Sequence, residues 1–206
     1  MAIQGVRLRL TRHFPERLRE VRLWDDSELP PELRARLERK WVRRQRVVDE
    51  IEALEAERLE RLRTVSNEPA LEQVRGLMKL RGIGIKSSRL FVMEFFSWRD
   101  FGNQKEVGSL AGLAPTPNQS GEEDQSPGIE KAGNVWVRAM ATEIAWSWIR
   151  NQPDSEITRW FERRFANAGK RARRRGITAV ARKVLVALWR YPDDGVIPEG
   201  AVLKGG

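Results

Sequence analysis

The longest helical pattern in the chain sets the first limit on its fold. Pro30-Pro31 opens it, because proline suits the first turn of a helix, and the next proline lies beyond Asn67. From residue 31 to about 63, Leu33, Leu37, Trp41, Val48, Ile51, Leu54 and Leu62 recur on one helical face, while Arg44, Glu55 and Arg58 interrupt the stripe. A helix of that length runs about 50 Å, more than a compact domain of this size covers, so part of it is expected to project and to find a partner helix. Either residues 14 to 24 return along it as a short second helix, or it forms a coiled coil between chains and makes the protein a homo-oligomer.

The rest of the composition removes whole classes of function. With 206 residues, 40% of them hydrophobic and 33% charged, the chain is expected to be globular and to bury a real core. No cysteine is present, which excludes disulfide frameworks, thiolate zinc sites and cysteine nucleophiles and suits a reducing cytoplasm. The one histidine, His13, excludes histidine-rich metal sites and makes a serine triad improbable. The apolar run from Val184 to Trp189 is far below the roughly 18 residues needed to span a bilayer. Met1 to Gln4 leads into charged sequence without a secretory h-region, so no membrane partner is expected.

Charge distribution points to a polyanion. Residues 131 to 190 hold 14 Lys+Arg against 4 Asp+Glu, a net of +10, whereas the remainder carries 24 basic and 25 acidic residues. Within that segment Lys170-Arg171-Ala172-Arg173-Arg174-Arg175 is one-signed, unlike an ordinary solvated face, which mixes both signs. Lys170, Arg171, Arg173, Arg174 and Arg175 are therefore candidate contacts to the phosphates of DNA.

Thr64 to Pro69 is a polar, proline-ended break, placing a helical hairpin or coiled coil at 1–66 and a compact helical domain at 67–206. Leu71, Val74, Leu77 and Met78 line a helix that stops at Gly82, and Leu90, Phe91, Met93 and Phe95 line the next. Between them Leu80-Arg81-Gly82-Ile83-Gly84-Ile85-Lys86 has the look of a helix-hairpin-helix. Gly82 and Gly84 either bring bare backbone N–H groups to a phosphate, with Lys86 adding positive potential, or form a tight turn in which Ile83 and Ile85 plug the core. Asn103 to Glu106 has the form of a capping box. Ala114 to Lys131 is an irregular excursion. A helix from about Asn134 to Arg150, apolar over most of its circumference, is expected at the centre of the core. Another runs from Ser155 to Gly169, and after the basic run a last apolar helix, Ile177 to Trp189, ends at Tyr191-Pro192. Most of the eight tryptophans are expected in the core. No convincing strand alternation occurs, so the fold class is all-α.

A series of motifs in one order carries a resemblance. Leu80-Arg81-Gly82-Ile83-Gly84 is followed by Phe101, Leu110-Ala111-Gly112-Leu113-Ala114-Pro115, Gln119-Ser120-Gly121, Gly128-Ile129-Glu130-Lys131-Ala132-Gly133-Asn134 and Arg138. Over about residues 70 to 190 this resembles the C-terminal transposase domain of insertion-sequence family one hundred and ten, the Piv/MooV-type DNA recombinases. The long helix before it resembles the coiled coil that joins this domain to an N-terminal RuvC-like domain in the family.

The resemblance implies DNA transposition by recombination in a prokaryotic cytoplasm, at the nucleoid, with a structured guide RNA as a second nucleic-acid partner. It implies that Ser120 occupies the position of a nucleophile that attacks a DNA phosphodiester, with magnesium held by the acidic domain. A serine hydroxyl needs a base or metal to take its proton and cations to hold the phosphorane charge. Lys131 and Arg138 are the candidate cations and Asn134 a candidate orienting amide. Without the resemblance, Ser120-Gly121 in a proline-rich loop reads as an ordinary turn. The family's four metal-binding carboxylates have no counterpart here. Glu122, Glu123 and Asp124 are adjacent and cannot converge on one ion from a rigid scaffold. The chain is thus expected to hold no cofactor itself, to be a partial transposase, and to need a RuvC-like domain in trans for activity. The alternative is a non-catalytic DNA- or RNA-binding remnant, or a dimerising regulator of a full transposase.

Overall fold

The computed structural model describes residues 8–97, 99–114 and 133–205. Among the described residues it is all-α, with no strand and no helix long and apolar enough to cross a membrane. The chain divides into two compact units, residues 1–64 and 65–206.

In the first unit, α1 (Phe14–Glu20) is a short helix with proline in its first turn, and α2 (Pro31–Thr64) is the 34-residue helix that the sequence pattern predicts. Phe14, Leu18 and Leu29 form a small core against which Leu33, Leu37 and Trp41 pack, with the Phe14 and Trp41 rings stacked at 5.0 Å. Intrachain pairing therefore exists, but it stops near Trp41. Between α1 and α2 the chain turns at Asp25 to Ser27, where Ser27 donates to the Asp25 carboxylate from Oγ (2.6 Å) and from its backbone N–H (3.1 Å).

The second unit contains α3 (Pro69–Met78), α4 (Ile85–Phe91) continued by a π-helical turn over Val92–Phe96, α5 (Gln104–Leu110), α6 (Val135–Asn151), α7 (Glu156–Phe165) and α8 (Lys170–Asp194). Local chemistry sets several of these starts. The Asn103 side chain accepts from the N–H groups of Lys105 (2.9 Å) and Glu106 (3.1 Å), and Glu106 accepts in return from the Gly102 N–H (2.9 Å) and Asn103 Nδ2 (2.7 Å). Asn134 caps α6 in the same way, accepting from Trp136 N–H at 3.0 Å and Val137 N–H at 3.1 Å.

The structure departs from the sequence expectation in the central helix, in several helix ends and in the burial of the tryptophans. The central helix is α8, on which α3, α5, α6 and α7 all pack, whereas α6 leaves Val135, Trp136 and Trp146 exposed on its surface. The basic run does not precede the last helix but forms its first turns, and Tyr191-Pro192 does not end it. The helix runs to Asp194, and Gly195 in the left-handed conformation stops it by donating its N–H to Tyr191 O. α7 ends at Phe165 instead of Gly169, and α1 at Glu20. Of the seven described tryptophans only Trp148 is fully buried, while Trp24, Trp136 and Trp146 are exposed. Helical spacing reports which face a residue occupies, but coverage of that face depends on which helices meet it.

Candidate nucleic-acid interface

The one-signed run occupies the start of α8, and its spacing sorts the side chains onto two faces. Arg171, Arg174 and Arg175, three and four residues apart, point outward and are exposed, as is Lys170. Arg173 is turned inward and half-buried. Its guanidinium lies 5.6 Å from the centroid of the Phe161 ring and donates at 3.4 Å to Ala166 O, so it anchors the corner between α7 and α8. Arg163 and Arg164 add two more exposed cations in the last turn of α7.

Gly176 explains why these two basic ends lie together. A side chain there would place its Cβ 2.8 Å from the Phe165 ring and 2.9 Å from that of Phe161. Glycine lets α8 cross α7 at this short distance, and nothing in the charge pattern signals it. No acidic residue stands in the first turn of α8. Cations at that position meet the positive end of the helix dipole and one another, an arrangement that costs stability until an anion neutralises it.

The glycine hairpin is a packing joint. Gly82 has φ +88°, a Cβ on it would lie 3.1 Å from Asn151 Cβ, and its carbonyl accepts from Ser147 Oγ at 2.9 Å. Ile83 and Leu80 are buried, so the plug reading holds for Ile83. Gly84 is the exposed N-cap of α4, its N–H donating to Ser87 Oγ at 3.2 Å, and Lys86 is exposed in the first turn of that helix. Behind the turn, the chain's last residues pair with it: Arg81 N–H donates to Val202 O and Lys204 N–H to Lys79 O. The fully buried Gln152 joins the two segments, donating to Arg81 O (2.8 Å) and Val202 O (2.9 Å) and accepting from Val202 N–H (2.8 Å). Lys204 Nζ completes the clamp on the carbonyls of Met78 (2.7 Å) and Ile83 (2.6 Å).

Ser120 and Lys131 lie outside the described residues, as do Glu122, Glu123 and Asp124. Arg138 is half-buried on the first turn of α6, and the Oδ1 of Asn134 is occupied by the helix cap. Gly133 has φ +119° and its missing Cβ would lie 2.6 Å from Leu110 O, while Asn134 N–H donates to that same carbonyl. The start of α6 is thus held against the end of α5.

A second basic surface on α8 was counted in the charge balance but not singled out as a site. Arg182, Lys183 and Arg190 line a groove of about 640 Å³ with Trp160 of α7, whose ring carries the Lys183 ammonium 4.9 Å from its centroid. Glu156 and Asp194 also line it, so its charge is mixed. Among the described residues no group of three or more His, Asp or Glu side chains is placed to hold a metal ion.

The chain is similar to transposases. Residues 74–160 match the profile described as Transposase IS116/IS110/IS902 family. The matched span runs from α3 through the hairpin and α6 to Trp160. The chain is also 38% identical over 205 residues to a Sinorhizobium fredii (strain NBRC 101917 / NGR234) protein named "Putative transposase y4rJ". That similarity covers 95% of this chain, including α8, and 51% of the rhizobial protein, so the chain spans about half the length of this curated relative.

Proposed function

We propose that the second unit is the DNA-binding transposase domain of a recombinase and that it grips DNA through phosphates at the α7–α8 corner. The observation that carries this reading is the gathering of Arg163, Arg164, Lys170, Arg171, Arg174 and Arg175 at the positive end of α8, on a chain that contains a transposase-family domain. Such a surface reads phosphate position and not sequence, so recognition of a particular site falls to other groups or to a guide RNA. Ser120 is the proposed nucleophile and Lys131 and Arg138 the proposed cations beside it. A lysine or arginine that is already protonated accepts no proton, so activation of the hydroxyl is assigned to a metal-bearing, RuvC-like domain. Lys86, exposed in the first turn of α4, is a secondary contact to the DNA backbone, and the packed Gly82–Gly84 turn serves to position it.

The test is a salt titration of duplex DNA binding, followed by fluorescence anisotropy. Each phosphate contact contributes about 0.9 to the slope of log affinity against log salt, so Arg171→Gln, Arg174→Gln and Arg175→Gln together should flatten it by about 3. Arg173 is left intact because it holds the corner together. A wild-type affinity independent of salt, or a triple variant with unchanged slope, overturns the proposal.

A further inference from the structure

The apolar stripe of α2 is covered on only part of its length. Phe14, Leu18 and Leu29 cover it at Leu33, Leu37 and Trp41, but beyond Trp41 the side chains of Val47, Ile51 and Leu54 are 48%, 49% and 43% exposed and Val48 is half-buried. Charge on the same stretch is segregated. Residues 39 to 46 include five basic and no acidic side chains, and residues 49 to 57 five acidic and no basic ones.

We propose that this stretch is an antiparallel helix–helix interface between two copies of the chain, with Arg44 of each copy facing Glu55 of the other and Val48 facing Ile51. The seam positions Trp41, Arg44, Val48, Ile51, Glu55 and Arg58 are separated by three, four, three, four and three residues. That spacing reads the same from either end, so a reversed copy brings each seam residue level with another seam residue. Residue i then meets residue 99 − i of the second copy.

In this register Arg44 and Glu55 form two symmetry-related ion pairs between the copies, one at each end of the apolar centre, and the Arg44 guanidinium already lies 5.3 Å from the centroid of the Trp41 ring at the edge of the overlap. Val47 and Leu54 lie on the same flank of the seam, Val47 of one copy two residues from the level of Leu54 of the other, so Val47, Val48, Ile51 and Leu54 of each copy are covered. A parallel pairing sets Arg44 on Arg44 and Glu55 on Glu55 and stacks the basic and acidic segments on themselves, which like-charge repulsion disfavours. The length is bounded as well. α1 occupies the stripe up to Trp41 in each copy, which leaves residues 42 to 57 to overlap, about 24 Å of helix.

Sedimentation equilibrium on the full chain over the micromolar range tests the pairing. The wild-type chain should be dimeric, and Arg44→Glu alone or Glu55→Arg alone should weaken the dimer about tenfold or more, with helicity by circular dichroism unchanged. The double variant should regain wild-type affinity, because the antiparallel register swaps both partners of each pair. Since the chain has no cysteine, an equimolar mixture of Arg44→Cys and Glu55→Cys chains should form a mixed disulfide faster than either forms with itself. A monomer throughout, single variants that dimerise as well as wild type, a double variant that fails to recover, or preferential self-crosslinking of Arg44→Cys each overturns the proposal. DNA binding, which rests on α7 and α8, is decided separately by the salt titration.

Discussion

Replacing Gln152 by leucine should loosen the base of the second unit without touching a charged residue. The side chain is fully buried, and its amide makes three hydrogen bonds, to Arg81 O, Val202 O and Val202 N–H. Leucine fills much of the same volume, so the loss is of polar pairing more than of packing. Each lost bond costs about 1 kcal/mol net, and more where the orphaned group stays buried. Val202 is 41% exposed, so water reaches its backbone and limits the penalty. A total of about 3 kcal/mol is expected, which for a protein of this size lowers Tm by about 6–12 °C. Thermal and urea unfolding measure the loss, and amide hydrogen exchange locates it: peptides covering residues 79–84 and 200–204 should exchange faster than in wild type. A loss below about 1 kcal/mol, with both peptides as protected as before, would refute the inference that this amide holds the hairpin to the chain's end.

Two further outcomes follow from other parts of the second unit. Gly133→Ala should destabilise the chain by about 2 kcal/mol or more, because φ +119° is strained for alanine and its Cβ would lie 2.6 Å from Leu110 O; a melting temperature equal to wild type sinks that reading. When a RuvC-like domain, magnesium and cognate nucleic acids are supplied, Ser120→Ala should abolish a covalent protein–DNA adduct on a denaturing gel while leaving DNA affinity nearly unchanged, and an adduct that survives the substitution removes Ser120 as the nucleophile.

The outcome at particular residues shows what kind of information a sequence holds. Pro31 opens α2, Asn103 caps α5 and Asn134 caps α6, each recognisable from residues within four positions, because caps and helical periodicity are short-range properties of the backbone. The motif order and the +10 segment were likewise legible, since neither needs a partner from elsewhere in the chain. Tertiary structure alone decided that α8 and not α6 is central, that Trp136 is 75% exposed while Trp148 is buried, and that Tyr191-Pro192 lies inside a helix. The hairpin shows the reason most clearly. Gly82, the end of α6 with Ser147 and Gln152, and Val202 are far apart in sequence and meet because the hairpin, α6 and the last residues converge. The same two glycines fit a phosphate cradle or a packing joint when read locally, and only the neighbours brought in by the fold show Gly82 pressed onto α6. Gly176 is the converse case: an unremarked glycine inside a basic helix sets how closely α8 approaches α7, and so where the cations of both helices stand. Short-range chemistry is written along the chain, whereas burial and close approach depend on which faces meet, a property of the whole chain and not of any window within it.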